Sequence, residues 1–185
     1  MSYQTEQLRR AVSRMMNGRL KNYVMPGLSS WLVGGEGAGK VRLFTAQRDT
    51  NDWVIAPHSH RFDFTCLVLR GEVHNITYSS PPRHDLGNPF AVGRLEVPEG
   101  GLGKYEYKPG TSPVHYGTHT AKYEEGTTYS MEAEEIHTIR FSRDSMVLFF
   151  EGPNRVNFSY VLEPWADSRR VPTFSVEPWM FDSQP

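Results

Sequence analysis

The chain has one cysteine, Cys66, among 185 residues. That excludes an internal disulfide framework, and without a Cys-x-x-Cys pair neither a thiolate zinc site nor an iron–sulfur cluster can form. Any metal must be taken by histidines and carboxylates. Charge of one sign is also missing: 20 Lys and Arg stand against 21 Asp and Glu, a formal net charge of -1, so no global field recruits nucleic acid or anionic lipid. No stretch approaches the ~20 consecutive apolar residues that a spanning helix needs. Residues 1–10 are polar and carry no apolar signal core. A cytoplasmic protein without a nucleic-acid or membrane partner is therefore expected, of a length that suits one domain with its own core.

Residues 5–24 carry Leu8, Ala11, Val12, Met15, Met16, Leu20 and Tyr23 at spacings of three and four, which predicts an α-helix. Arg9, Arg10, Arg14, Arg19 and Lys21 make its other face basic. The segment 1–27 reads as an N-terminal helix packed on whatever follows. After Pro26-Gly27 the pattern changes to short runs rich in Val, Ile, Phe, Tyr and Thr, broken by Gly, Pro, Asn or Asp. This is the pattern of an antiparallel sandwich or barrel. Strands are predicted at 30–33, 40–47, 52–58, 64–69, 72–78, 94–97, 104–107, 129–131, 136–141, 145–150 and 157–162.

The barrel is placed at 28–163. Between Ser79 and Gly126 lies a long polar, Gly- and Pro-rich excursion, which either shapes a binding mouth or forms an extra hairpin. The extension 164–185 holds Trp165, Phe174, Trp179, Met180 and Phe181. So many large apolar groups predict packing along the barrel or against a second subunit, and such a tail together with open barrel edges is compatible with a homodimer.

Gly34-Gly35-Glu36-Gly37-Ala38-Gly39-Lys40 matches the letter of a phosphate-binding loop. That loop needs a Ser or Thr next and then a helix facing the phosphates. Here Val41 follows and Val-Arg-Leu-Phe-Thr reads as a strand, so a Gly-rich hairpin is expected instead.

The informative segment runs from Trp53 to Val73 and contains His58-Ser-His60 between a proline-terminated strand and an apolar strand that ends at Gly71. Side chains two apart on a strand face the same way, so both imidazoles can reach one ion. The layout resembles the first signature of the cupin superfamily: His-x-His, three or four residues, usually Glu, six more residues, then Gly. Counting back from Gly71 puts Phe64 where the Glu would stand. The second signature runs Gly, five residues, Pro-x-Gly, two residues, His, three residues, Asn. Gly126 and His137 keep its spacing, while Glu132, Glu134 and Phe141 replace its Pro, Gly and Asn.

The resemblance covers about residues 40 to 160. It implies a mainly β fold, the cupin double-stranded β-helix or jelly-roll barrel, with the N-terminal α-helix added. It also implies one divalent metal per chain on His58, His60 and His137.

A three-His set without the Glu is most similar to the thiol dioxygenases, exemplified by cysteine dioxygenase, which hold iron(II). By that likeness Fe(II) is favoured, with zinc, manganese or nickel as alternatives. The function implied is that of a metal-dependent enzyme acting on a small, anionic substrate, an oxidoreductase of the dioxygenase kind. The alternatives are a non-catalytic small-ligand-binding cupin and a non-redox metal-dependent isomerase or hydrolase. Those dioxygenases use a Ser-His-Tyr set on the strand after the third ligand, where Met146, Leu148 and Phe150 stand here. Cys66 lies two residues beyond the position where some members carry a crosslinked cysteine.

Around this core, His74 is a candidate hydrogen-bond donor behind a ligating ring, or a proton shuttle. Glu135, with Glu132 and Glu134, is a candidate carboxylate partner of a ligating ring. Arg140, Arg42 and Arg61 are candidate anchors for an anionic substrate. Asp63 could join the metal ligands if its turn brings it inward. His84, His115 and His119 read as solvated excursion residues able to line the mouth.

Overall fold

The structure is a computed structural model that describes residues 19–20, 27–34, 39–50, 55–81, 83, 87–97 and 105–165. Twelve strands fall in these residues: β1 (Arg19–Leu20), β2 (Leu28–Gly34), β3 (Val41–Ala46), β4 (Phe62–Arg70), β5 (Glu72–Ser79), β6 (Asn88–Glu96), β7 (Glu106–Lys108), β8 (Pro113–Glu124), β9 (Thr128–Met131), β10 (Ile136–Phe141), β11 (Met146–Asn154) and β12 (Phe158–Pro164). One sheet has the order β1-β2-β3-β11-β4-β9 and the other β10-β5-β8-β6-β12, with β7 on the edge of β6. Among the described residues no helix is long and apolar enough to cross a membrane.

The short segment 57–59 completes the pattern. His58 bridges His137 on one side and Val161 on the other. The amides of His58 and His137 each donate to the other's carbonyl at 2.9 Å. Eight units in chain order, β3, 57–59, β4, β5, β8, β9, β10 and β11, then form two facing sheets, β3-β11-β4-β9 and 57–59-β10-β5-β8. That interleaving of first with last and second with seventh is the double Greek key of a jelly roll, the architecture the two signatures implied.

Alternation builds the core. Along β4, Phe62, Phe64, Cys66 and Val68 are buried while the residues between them are half-buried, as a strand with one inward face requires. They pack against Val73, Tyr129, Met131, Phe141 and Val147 from the surrounding strands. The second sheet also closes on itself, because 57–59 joins β10 to β12. Inside that small ring Phe90, Ile136 and Leu162 form a second apolar cluster. Strand β10 is therefore covered on both faces, which explains its run of buried residues.

Several sequence expectations change. Arg19 and Leu20, inside the helix predicted over 5–24, are strand residues paired with Trp31 and Ser30. Backbone pairing to the exposed edge of β2 overrides helical periodicity at this point. The remainder of that helix lies outside the described residues, as do all but the first two residues of the extension 164–185. The Gly-rich segment joins two paired antiparallel strands, β2 and β3, as a hairpin does. Among its described residues the excursion from Ser79 to Gly126 is mostly sheet: β8, which was not predicted, runs for 12 residues and pairs with both β5 and β6.

Candidate metal centre

The segment from Ile55 to His60 is held by its own carbonyls. Ile55 O accepts from Thr138 Oγ1 at 2.6 Å, Ala56 O from His58 Nδ1 at 2.8 Å, Pro57 O from the Leu162 amide at 2.8 Å, and His60 O from the Glu134 amide at 3.2 Å. Fully buried Ser59 adds two bonds to Tyr160, its amide donating to the carbonyl and its Oγ accepting from the amide, both at 2.9 Å. A segment satisfied in this way has little freedom, so the two histidines flanking Ser59 are fixed by backbone geometry.

His58, His60 and His137 converge. Their ligand nitrogens all lie within 4.8 Å of one another, and Nε2 of His60 is 3.0 Å from Nε2 of His137. The ring centroids are 4.8 Å (His58–His60), 5.2 Å (His60–His137) and 5.3 Å (His58–His137) apart. An ion bound at about 2.1 Å by imidazoles brings their nitrogens roughly 3–3.5 Å apart, so one pair already has that spacing.

Two of the rings are oriented from behind. His58 Nδ1 donates to Ala56 O, and His137 Nδ1 to Asn75 Oδ1 at 2.7 Å. A neutral imidazole that donates through Nδ1 carries its lone pair on Nε2, the arrangement that prepares a ring to bind metal. Asn75, buried beside Met131, donates its amide to Met131 Sδ at 3.3 Å and is held in this orientation. Burial holds all three histidines below their ordinary range, most strongly His60 and His137, where repulsion from the neighbouring imidazoles adds to it; at His58 the bond to Ala56 partly opposes it. They stay neutral, which leaves their lone pairs available. The residues present therefore fit a divalent ion.

The walls are aromatic. Phe64, where the resemblance would put a Glu, has its ring 4.8 Å from His60 and 5.4 Å from His137, and stacks on Phe149 at 4.7 Å. Phe62 and Phe149 flank His60 at 5.3 and 5.8 Å. Among the described residues no Asp or Glu is buried.

The other candidates are placed elsewhere. His74 and Arg140 are cross-strand partners on the face of β5 and β10 opposite Asn75 and His137, in a surface hollow with Glu72 and Asp49. Glu135 is exposed and caps the turn after β9 by accepting from the Glu132 amide at 2.7 Å. Asp63 turns outward, accepting from the Ala133 amide at 2.8 Å and Arg155 Nε at 2.9 Å, bonds that hold its carboxyl below the usual range. Arg61 donates to Tyr105 Oη at 3.3 Å, His119 is exposed on β8, His115 is half-buried there, and His84 lies outside the described residues.

Cys66 faces Tyr129 across β4 and β9, and burial pushes its thiol up to about 12, so it stays protonated. On β11 the inward residues are Val147 and Phe149, paired with Val68 and Cys66, rather than Met146, Leu148 and Phe150. Asn75 went unrecognised in the sequence, although parity with the apolar Val73 two residues earlier marks it as inward-facing. Glu134, at the position of the motif's Gly, keeps the left-handed conformation at φ 73°.

No protein-family model matches the chain, and no curated protein matches it. Among solved structures it is similar to a cupin superfamily protein from Desulfitobacterium hafniense, with a TM-score of 0.41 and 10% identity over 69% of this chain and 78% of that one. It is also similar to KdgF from a Halomonas species, with a TM-score of 0.40 and 13% identity over 71% of this chain and 85% of that one. A third is the hydroxypropylphosphonic acid epoxidase of S. wedmorenis, with a TM-score of 0.43 and 11% identity over 73% of this chain and 56% of that one. At these scores the likenesses add nothing to the strand order, which defines the jelly roll by itself.

Proposed function

We propose that the chain is a metal-dependent enzyme that acts on a small molecule, with iron(II) held by His58, His60 and His137 and a reaction of the three-His dioxygenase kind. The observation that carries this reading is the convergence of three neutral imidazoles, two of them oriented through Nδ1, inside an aromatic wall where no Asp or Glu of the described residues is buried. Imidazole suits iron, and an ion with three protein ligands keeps positions open, where it supplies Lewis-acid and redox chemistry that side chains lack.

The chain's own contribution is positioning. The bonds to Ile55, Ala56, Pro57 and His60 fix the two neighbouring rings, and Asn75 fixes the third. Phe62, Phe64 and Phe149 keep the surroundings of His60 apolar, which strengthens electrostatic attraction at the open positions. Three neutral ligands leave the ion's double charge uncancelled, which favours an anionic substrate.

The test is elemental analysis of protein purified without added metal, followed by oxygen uptake with small acids and thiols. The expected result is close to one iron per chain, with oxygen consumption lost in His137→Ala. A folded protein that takes up no metal would end this reading, whereas full activity with zinc in the absence of oxygen would move it to a non-redox isomerase or hydrolase.

A further inference from the structure

We propose that residues 1–18 dock as an amphipathic helix on the outer face of the six-stranded sheet, with their arginines turned to an acidic hollow at its far end.

That face carries one apolar row. Arg42, which donates to Ser30 Oγ at 3.3 Å, and Phe44 point into the jelly roll, so Leu43 between them points out. Directly opposed residues share a face. Trp31 pairs with Leu43, Leu43 with Leu148 and Leu148 with Leu67, one residue from each of β2, β3, β11 and β4. None of the four belongs to an apolar cluster of the interior. No described strand is stacked on this face. Even so, Leu43 is only 9% exposed, Ser29 beside the row is 4% exposed, and the indole nitrogen of Trp31 is shut off from solvent. Side chains on a bare sheet face keep far more contact with water, so the row is covered by another part of the same chain.

Three features select residues 1–18. Arg19, in β1, pairs with Trp31, so the segment arrives at one end of the row. Asn17-Gly18 is a helix-ending pair, and Leu8, Ala11, Val12, Met15 and Met16 make one apolar face up to that stop. The length also fits. Strands lie about 4.8 Å apart, so β1 to β4 spans roughly 19 Å, which about thirteen helical residues cover.

Charge agrees with this direction. Arg9, Arg10 and Arg14 flank the apolar face of the segment. At the β4 end the next row, Phe150 and Thr65, borders a hollow lined by Asp63, Glu132, Glu135 and Glu151, with no Lys or Arg in its lining. Carboxylates gathered there attract the arginines. The extension after Trp165 leaves instead from the other sheet, where the Trp165 amide donates to Pro89 O at 3.1 Å.

The test is limited trypsin digestion of the folded full chain, with the cut sites read by mass spectrometry. The parent is expected to resist cleavage after Arg9, Arg10 and Arg14. Leu148→Asp, which puts a charge under the segment, should speed these cuts on the order of tenfold, because cleavage follows the population of the open form. Val12→Asp, in the segment itself, should do the same, with cleavage after Arg169 and Arg170 unchanged in both variants. High salt, which screens the arginines from the carboxylates, should speed the same cuts by about threefold.

Equal cutting in the parent and Leu148→Asp overturns the proposal. So does a variant that exposes Arg169 and Arg170 instead, which assigns the face to the extension. A parent dimer that Leu148→Asp splits, seen by light scattering without faster cuts at residues 9–14, overturns it in favour of a second copy. If Leu148→Asp does not fold, Val12→Asp decides, since its change lies outside the barrel, and cuts no faster than the parent's overturn the docking. Cuts that salt leaves unchanged overturn the contact with the acidic hollow.

Discussion

The interior of the jelly roll has two unlike halves, built from the same four strands. Toward one end, Val68, Val73, Phe141 and Val147 meet as pure hydrocarbon, with Val68 paired to Val147 and Val73 to Phe141. Toward the other end, one or two alternations along those same strands, stand Phe64, Asn75, His137 and Phe149, with Arg42 and His58–His60 beside them. The first half supplies packing and little else. The second gives up apolar burial for convergent donors, and its polar atoms are tied to named partners: Ala56, Asn75, Met131 and Ser30. Stability and chemistry are thus separated along the barrel, and substitutions should divide in the same way.

His137→Ala should cost on the order of a thousandfold in metal affinity, since each ligand contributes a few kcal/mol of binding, with the metal-free fold retained; calorimetric titration with iron(II) or zinc checks it. Phe141→Ala should do the reverse. It should lower the unfolding free energy by about 3–5 kcal/mol, the cost of an emptied aromatic site, with metal still bound at the remaining folded population, as read by urea denaturation. Asn75→Leu should weaken metal binding by about 10–100-fold through loss of the ring's orienting acceptor. Asn75→Asp should restore most of it, and His74→Ala, on the opposite face of β5, should leave it nearly unchanged.

The smallest effect is expected at Glu134, a non-glycine residue held at positive φ. Replacing it with Gly should stabilise the protein by up to about 1 kcal/mol, with metal affinity unaltered. A loss of affinity there would mean that the turn before β10 belongs to the site as well as to the fold.

The legibility of the sequence follows the same division. The three histidines were readable because His58-x-His60 precedes an apolar strand and His137 keeps its distance from Gly126, and both features survive without any tertiary information. Strand β8 was not readable. All its side chains are exposed or half-buried, and it begins with Pro113 and contains Gly117, so it lacks the buried alternate positions on which strand recognition depends. It persists because β6 pairs with residues 113–116 and β5 with residues 117–124, so its whole length has a backbone partner.

His74, Arg140 and Glu135 read as site residues for their chemistry, yet which face each occupies depends on register. A shift of one residue reverses every side chain of a strand. The same rule hid Asn75 and left Arg42, Arg61 and Arg140 indistinguishable until the pairing of β3 with β11 turned Arg42 inward. The N-terminal periodicity failed at Arg19 and Leu20 because pairing to β2 is a long-range contact that a local pattern does not contain.

The central claim is that three imidazoles share one ion. Anomalous diffraction at the iron absorption edge, from crystals grown with iron(II), tests it directly. A single peak about 2.1 Å from one nitrogen of each of His58, His60 and His137 is predicted, with no protein carboxylate in contact. A map without such a peak, or with the ion on Asp63 or Glu135 in place of any one of the three, would contradict it.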